Sequence, residues 1–317
     1  MPASDGPDVP VPESLPAPIA ELPPAPVAIP LSTWRPACGV AVTGLSHSRK
    51  GLPCQDAVAW RSEGRPILAL SDGAGSAAVS ERGATALVSG VSRFLVSLED
   101  VLSPWLDDPA EQAPEQTMRW VRRLLVHARG ILDDLARSER RDVRDLRATL
   151  LVAVVGSVRT FWWQVGDGAI AVRYGDALHA LGDASKAKGE FANQTCFVDA
   201  ANLSEVQFGL LPTAKVSGIA LMSDGGAERL VASNGSRVAA RIGEWFDAAA
   251  SERLTPDKIV LAFHDPAMWE RTSLDDRSIV LAARTGSENF RVAGYDKAPL
   301  EIDTRGHEQQ IATDHSF

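Results

Sequence analysis

The sequence predicts a layered α+β fold, in which antiparallel sheets carry helices on their outer faces. Three observations point there. Strand-like segments come first, two long amphipathic segments follow, many strand-like segments come next, and two helical segments and a last strand close the order. That order lacks the regular βαβ alternation of a doubly wound domain. Residues 148–158 (ATLLVAVVGSV) are β-branched and almost continuously apolar, as a strand covered on both faces must be.

The elements follow in chain order. Residues 1–33 hold 10 of the 20 prolines and no Lys or Arg. Proline fixes φ and has no N–H, so 1–35 is expected as a disordered, extended arm, either a plain linker or a docking arm for a proline-binding module. CGVAVTGLSH from residue 38 reads as a strand and its exit. DAVAWRSEGRPILALSD reads as a hairpin of two apolar runs around Ser62-Glu63-Gly64, ending at Asp72. Residues 80–98 have helical spacing, with Ala84, Leu87, Val88, Val91 and Leu95 on one face and Ser80 as the N-cap. A second helix is expected over 114–138, with Trp120, Leu124, Leu125, Ala128, Ile131, Leu132 and Leu135 as its stripe.

Strands then return: TFWWQVGDG and AIAVRYGD joined by Gly166-Asp167-Gly168, a shorter LHALGD, then TCFVD, VQFGLL and SGIALMSD. Trp162-Trp163 in a strand puts one ring on each face, as core packing. Helices are expected over 237–250 and 256–269, and DRSIVLAAR as the last strand. The folded domain is expected to span 36–286, with 287–317 a flexible tail.

Composition narrows the function. The formal charge of −9 argues against a nucleic-acid grip, which needs clustered Lys and Arg. No run approaches the ~18 apolar residues of a membrane span, and the start of the chain has neither basic residues nor an apolar core of a leader. A cytoplasmic protein with no membrane or nucleic-acid partner is expected. Cys38, Cys54 and Cys196 form no C-x-x-C pair, and none is followed by Arg six positions on, so a thiolate nucleophile with an Arg phosphate cradle is unsupported.

The chemistry sits in carboxylates at strand ends. PILALSDG and GIALMSDG each place an Asp, Asp72 or Asp224, where a buried strand meets solvent, followed by a Gly free to turn its neighbouring carbonyl. Asp56 lies beside a third strand and Asp275-Asp276 enter a fourth, with no evident Lys or Arg partners. Taken alone, these are either solvated turn carboxylates or a cage for a divalent cation, which would relieve their mutual repulsion. Oxygen-only ligands select Mg²⁺ or Mn²⁺ over zinc.

In order along the chain stand G-L-S-H-S-R-K-G-L-P-C-Q-D, L-S-D-G-A-G-S-A, A-T-L-L-V-A, V-G-D-G, M-S-D-G and D-D-R-S-I-V. This series, over about residues 38–285, resembles the metal-dependent type 2C protein phosphatases, closest to the short bacterial branch often encoded beside a kinase and a von Willebrand A-type protein. The resemblance implies a four-layer αββα sandwich of two antiparallel β-sheets flanked by helices. It implies two Mn²⁺ or Mg²⁺ ions, with Asp72 bridging both, the Gly73 carbonyl on one, Asp224 and Asp275 on the other, and Asp56 bound directly or through water. It implies hydrolysis of phosphoserine and phosphothreonine by a water bridging the ions, on a phosphorylated protein substrate such as a Ser/Thr kinase or its target, and points to a von Willebrand A-type protein as a partner.

Departures from the family pattern matter. Gln55-Asp56 stands where many relatives have Glu-Asp, and Ala74 where many have a His able to protonate the leaving group. The family's phosphate-binding Arg has no aligned match, which leaves His47, Arg49 and Lys50 as candidates. Asp145 lies near a third-metal Asp of relatives. Asp167 falls at a position that looks structural in the family. Gln55 and Ala74 motivate the alternative of a non-catalytic or weakly active adaptor that binds a kinase or phosphopeptide.

Overall fold

The computed structural model describes residues 26–183, 195–269 and 271–285. Ten strands form two five-stranded sheets in which every pairing is antiparallel. The first sheet takes β1 (Cys38–Val42), β10 (Arg277–Ala283), β9 (Val216–Met222), β6 (Ala169–Tyr174) and β7 (Ala177–Leu181), in that order. The second takes β2 (Ala57–Arg61), β3 (Ile67–Ser71), β4 (Leu150–Val155), β5 (Arg159–Val165) and β8 (Gln207–Pro212). Helices α1 (Leu45–Lys50) and α5 (Asp224–Ala227) are short. The long ones are α2 (Ser80–Ser97) and α4 (Pro114–Glu139), with α3 (Glu99–Leu106) between them, and α6 (Ala240–Ala250) and α7 (Pro256–His264).

Strand alternation builds the layers. In β3, Ile67 and Ala69 face α2 and α4, while Leu68 and Leu70 face the other sheet. In β10, Ile279, Leu281 and Ala283 face α6 and α7, while Val280 and Ala282 face inward. Three apolar zones result, one between the sheets and one under each helical layer, which makes the four-layer αββα sandwich. Trp163 packs with the helices, stacked layers away from its neighbour Trp162, which fills the space between the sheets. Both are fully buried, so Trp162→Ala is expected to cost about 3–5 kcal/mol, measured by urea unfolding.

Several expectations are corrected. The first 25 residues of the arm and residues 286–317 of the tail lie outside the described residues, but the boundary at 35 is too late. Ile29 and Trp34 are buried, Ile29 N–H bonds the Ser157 carbonyl at 2.7 Å, and Arg35 N–H bonds that of Ala283 at 2.9 Å. Apolar side chains here find the sandwich in spite of the prolines around them. Ser80 is not the N-cap: Val79 holds that place, and the Ser80 hydroxyl is buried against Gly73. TCFVD forms no strand, because Val198 dives into the helical layer and the chain turns over 198–200. The last long helix stops at His264, before Asp265-Pro266, since a residue ahead of proline disfavours the helical region. Helix α3 was not expected. It is tied to the β2–β3 hairpin by Arg65, whose buried guanidinium pairs with Asp107 at 2.6 Å and Glu99 at 3.0 Å. Among the described residues, no helix is long and apolar enough to cross a membrane.

Candidate metal centre

The ends of both sheets deliver carboxylates to one cleft. Asp72 leaves β3 with its backbone clamped on Thr149: its N–H bonds the Thr149 hydroxyl at 3.0 Å, and its carbonyl accepts the Thr149 N–H at 2.8 Å. Gly73 donates its N–H to the Gln55 carbonyl at 3.1 Å. A Cβ on Gly73 would stand 2.7 Å from the Ser80 Cβ and 2.9 Å from the Gln55 carbonyl oxygen, so only glycine fits without a shift. Asp224 opens α5 just past β9, after Ser223, whose hydroxyl caps Gly226 N–H. Asp275 precedes β10, and Gly44 packs so tightly on it that a Cβ would sit 2.2 Å from its carbonyl.

Asp72, Asp224 and Asp275 line a cleft of about 110 Å³ together with Gly73, Ala74, Thr149 and Asp167. Asp56 does not line it but lies buried beside Asp72, and no hydrogen-bond donor reaches its Oδ2. Burial above all pushes its carboxyl up to about 7, with Asp276 and Asp224 adding and the nearby Ser223 and Ser278 hydroxyls opposing. Asp72 is raised well above the carboxylate range by burial, then by the charges of Asp56 and Asp224. Asp224 is exposed at the rim, yet the protein crowded around it raises its carboxyl as well, with Asp167 and Asp275 adding. These are the signs of like charges held together without a counter-charge.

Not every expected residue comes to the cleft. His47 turns inward, its Nδ1 2.9 Å from Asp276 Oδ2, and so does not face an incoming phosphate. Arg49 and Lys50 are exposed on α1 and do not line the cleft. Asp145 lies away from the lining, 3.8 Å from the Arg141 guanidinium. Asp276 accepts backbone N–H bonds from Gly44 and Gln55, each at 2.6 Å, which ties it into the framework and leaves Asp275 as the one facing the cleft.

Asp167, expected to be structural, lines the cleft with its Oδ2 accepting the Thr195 hydroxyl at 2.7 Å. The signal was present, since Gly166-Asp167-Gly168 repeats the punctuation at Asp72 and Asp224. No Lys or Arg lines the cleft among the described residues. Cysteine chemistry is disfavoured, because burial, then Asp56 and Asp276, push the Cys54 thiol far up, and burial and Glu205 push Cys196 up to about 12.

A buried carboxylate oxygen without a donor, in an all-oxygen cluster of acids that raise one another's pKa, fits a hard divalent cation. Asp56, Asp72, Asp224, Asp275 and the Gly73 carbonyl are the groups that could hold it.

Comparison with known proteins adds the lineage of this arrangement. A family profile described as protein phosphatase 2C matches residues 43–261. The serine/threonine-protein phosphatase 3 of Escherichia coli K12 is 29% identical over 266 residues, covering 79% of this chain and 98% of that protein. Among solved structures, the serine/threonine phosphatase Stp1 from Staphylococcus aureus superposes with a TM-score of 0.52 at 15% identity, over 84% of this chain and 100% of that one. The catalytic domain of the phosphatase PstP in complex with two manganese ions gives 0.52 at 15% identity, over 80% and 99%. The Mycobacterium tuberculosis phosphatase PstP/Ppp gives 0.53 at 13% identity, over 80% and 100%. These structures share the fold.

Proposed function

This chain belongs to the protein phosphatase 2C family, and on that premise we propose that it hydrolyses phosphoserine and phosphothreonine with two Mn²⁺ or Mg²⁺ ions held by Asp56, Asp72, Asp224, Asp275 and the Gly73 carbonyl. It is a protein serine/threonine phosphatase, and its substrate class is phosphoproteins. The observation that carries the two-cation reading is Asp56, a buried carboxylate with a free oxygen, held up near pH 7 beside Asp72 and close to Asp224.

When bound, the ions supply positive charge against the phosphoryl oxygens and a water acidic enough to attack phosphorus. The chain's own part is to hold ligands still. Thr149 fixes the Asp72 backbone on both sides of its peptide. Asp276 fixes the Gln55 N–H, and the Gln55 carbonyl fixes the Gly73 N–H, so one short path of bonds sets the Asp56 and Gly73 backbones together. Such pre-set donors need little reorganisation when charge develops. Ala74 lines the cleft and has no proton to give, so the leaving alkoxide takes its proton from water or from another side chain. The partners this reading favours are a Ser/Thr kinase or its target, together with a von Willebrand A-type protein, in a reducing cytoplasm that suits the three free cysteines.

A second reading has one observation in its favour: Ala74 lines the cleft without a proton to give the leaving group, which suits an adaptor that binds a phosphoprotein and turns it over slowly. Mn²⁺-dependent release of phosphate from phosphoserine and phosphothreonine peptides separates the two. Asp224→Asn keeps side-chain volume and removes charge. It is expected to weaken Mn²⁺ affinity and kcat/KM by about 10-fold or more, a ΔΔG of about 1.4 kcal/mol, with the unfolding midpoint in chelator unchanged or raised. Activity that survives a chelator would overturn the two-cation reading. Stoichiometric Mn²⁺ binding with no turnover on any peptide would favour the adaptor.

A further inference from the structure

Beside the cleft lies a second group of ligand atoms, from His47, Asp275 and Asp276, all within 4.8 Å of one another. His47 and Asp276 are only 8% and 3% exposed. The Asp276 carboxylate receives Gly44 N–H on Oδ1 and Gln55 N–H on Oδ2, and the Cys54 thiol also reaches it, which still leaves it one unused lone pair. The Nδ1 of His47 stands 2.9 Å from Asp276 Oδ2, yet it makes no aligned hydrogen bond with any group. A buried ring nitrogen without an aligned partner is unfavourable, and this one stands against a carboxylate that also holds two backbone N–H groups.

A cation between them would give that nitrogen a partner. Two neighbouring ligands about 2.1 Å from one ion at a right angle are about 3.0 Å apart, close to the His47–Asp276 separation. Opposite ligands are about 4.2 Å apart, so small side-chain rotations close the third member, exposed Asp275, onto the same ion. One imidazole nitrogen and two carboxylate oxygens suit Mn²⁺, Fe²⁺ or Zn²⁺ and are poor for Mg²⁺.

We propose that His47, Asp275 and Asp276 form a third cation site, selective for transition-metal ions, that shares Asp275 with the cleft. The proposal rests on the two-cation reading only through that shared residue. An ion here draws the Asp275 carboxylate toward His47, so occupancy of this site and the coordination available in the cleft are linked.

The test is pulsed electron paramagnetic resonance of Mn²⁺ titrated into the untagged full-length chain. The cleft ligands are all oxygen, so histidine-nitrogen modulation on Mn²⁺ reports the third site alone. The expected result is such modulation in the parent, its conversion to the ¹⁵N pattern when histidine is ¹⁵N-labelled, and its loss in His47→Gln along with one bound Mn²⁺ per chain. Should His47→Gln fail to fold, Asp275→Asn on the exposed rim is expected to abolish or strongly weaken the same signal. Bound Mn²⁺ without nitrogen modulation at any loading overturns the third site, reduces the His47–Asp276 contact to an ion pair and leaves the two-cation reading standing. Nitrogen modulation that persists in folded His47→Gln overturns it equally. A chain that binds no Mn²⁺ at all sinks both.

Discussion

Asp72→Asn is expected to lower kcat/KM on a phosphoserine peptide by about 1000-fold or more, and to leave the metal-free chain at least as stable as its parent. The two halves of that expectation have one cause. Asp72 is the cleft carboxylate most crowded by others: burial, Asp56, Asp224 and Asp167 all raise its pKa. If Asp72 holds both proposed cations, removing its charge would weaken the grip on each. A thousandfold loss corresponds to about 4 kcal/mol of transition-state stabilisation, a reasonable share for a ligand common to two ions. Without cations, the same charge is a burden. Asparagine keeps the shape, spares the backbone bonds to Thr149 and ends the repulsion. Steady-state kinetics with Mn²⁺ and urea unfolding in chelator measure the two halves. Parental activity in the variant would remove Asp72 from the mechanism, and a large loss of metal-free stability would show that its charge is needed by the fold.

The second large effect is on the pH dependence of stability in chelator. An unfolded Asp titrates near 3.8, whereas folded Asp56 titrates near 7. Between those values the folded chain keeps a proton that the unfolded chain has released. Stability therefore falls as pH rises through the window, opposite in sign to a salt-bridged carboxylate. At roughly 1.4 kcal/mol per pH unit, Asp56 accounts for a fall on the order of 4 kcal/mol, and Asp72 and Asp224 act in the same direction. Asp107 works the other way. Burial raises it, but its bonds to Arg65 and Ser157 prevail and lower it, so its stabilisation is lost only as pH drops below the ordinary Asp value, beneath the window. The melting temperature in chelator is expected to decline from about pH 5 to pH 8, and saturating Mn²⁺ to flatten that decline. A flat profile in chelator would show that the acids are not coupled as the geometry has them.

Much of this architecture is readable from the chain because strands buried on both faces appear as short, nearly continuous apolar runs bounded by turn residues. The runs around Leu68, Val152 and Val280 are too short for buried helices, and Trp162-Trp163 in a strand divide between two apolar zones. The long helices α2 and α4 bury a stripe wide enough to read. Short elements escaped for the same reason in reverse. Helix α3 is eight residues with Pro104 inside, and its anchor is Arg65, thirty-odd residues upstream, a partnership no local pattern records. TCFVD has strand composition, but Val198 is claimed by the helical layer.

In the cleft, the carboxylates at strand exits were legible because Asp-Gly after a buried strand has few structural uses. The direction of His47 was not, since a ring on a short helix can face either way, and only the fold brings Asp276 beside it from 229 residues on. Asp167 lines the same cleft, and its bond to the Thr195 hydroxyl joins two segments that no local pattern links.

The acids of the cleft come from both sheets: Asp72 from the second, Asp224 and Asp275 from the first. Among the described residues, the space between those sheets is filled by the apolar cluster around Trp162, Leu70, Leu221 and Val280. Ångström-scale sliding of one sheet over the other would therefore change the spacing of these acids without touching any of them. Substitutions deep in that filling, far from solvent and chemically inert, should act as a vernier on turnover, changing rate before they change folding.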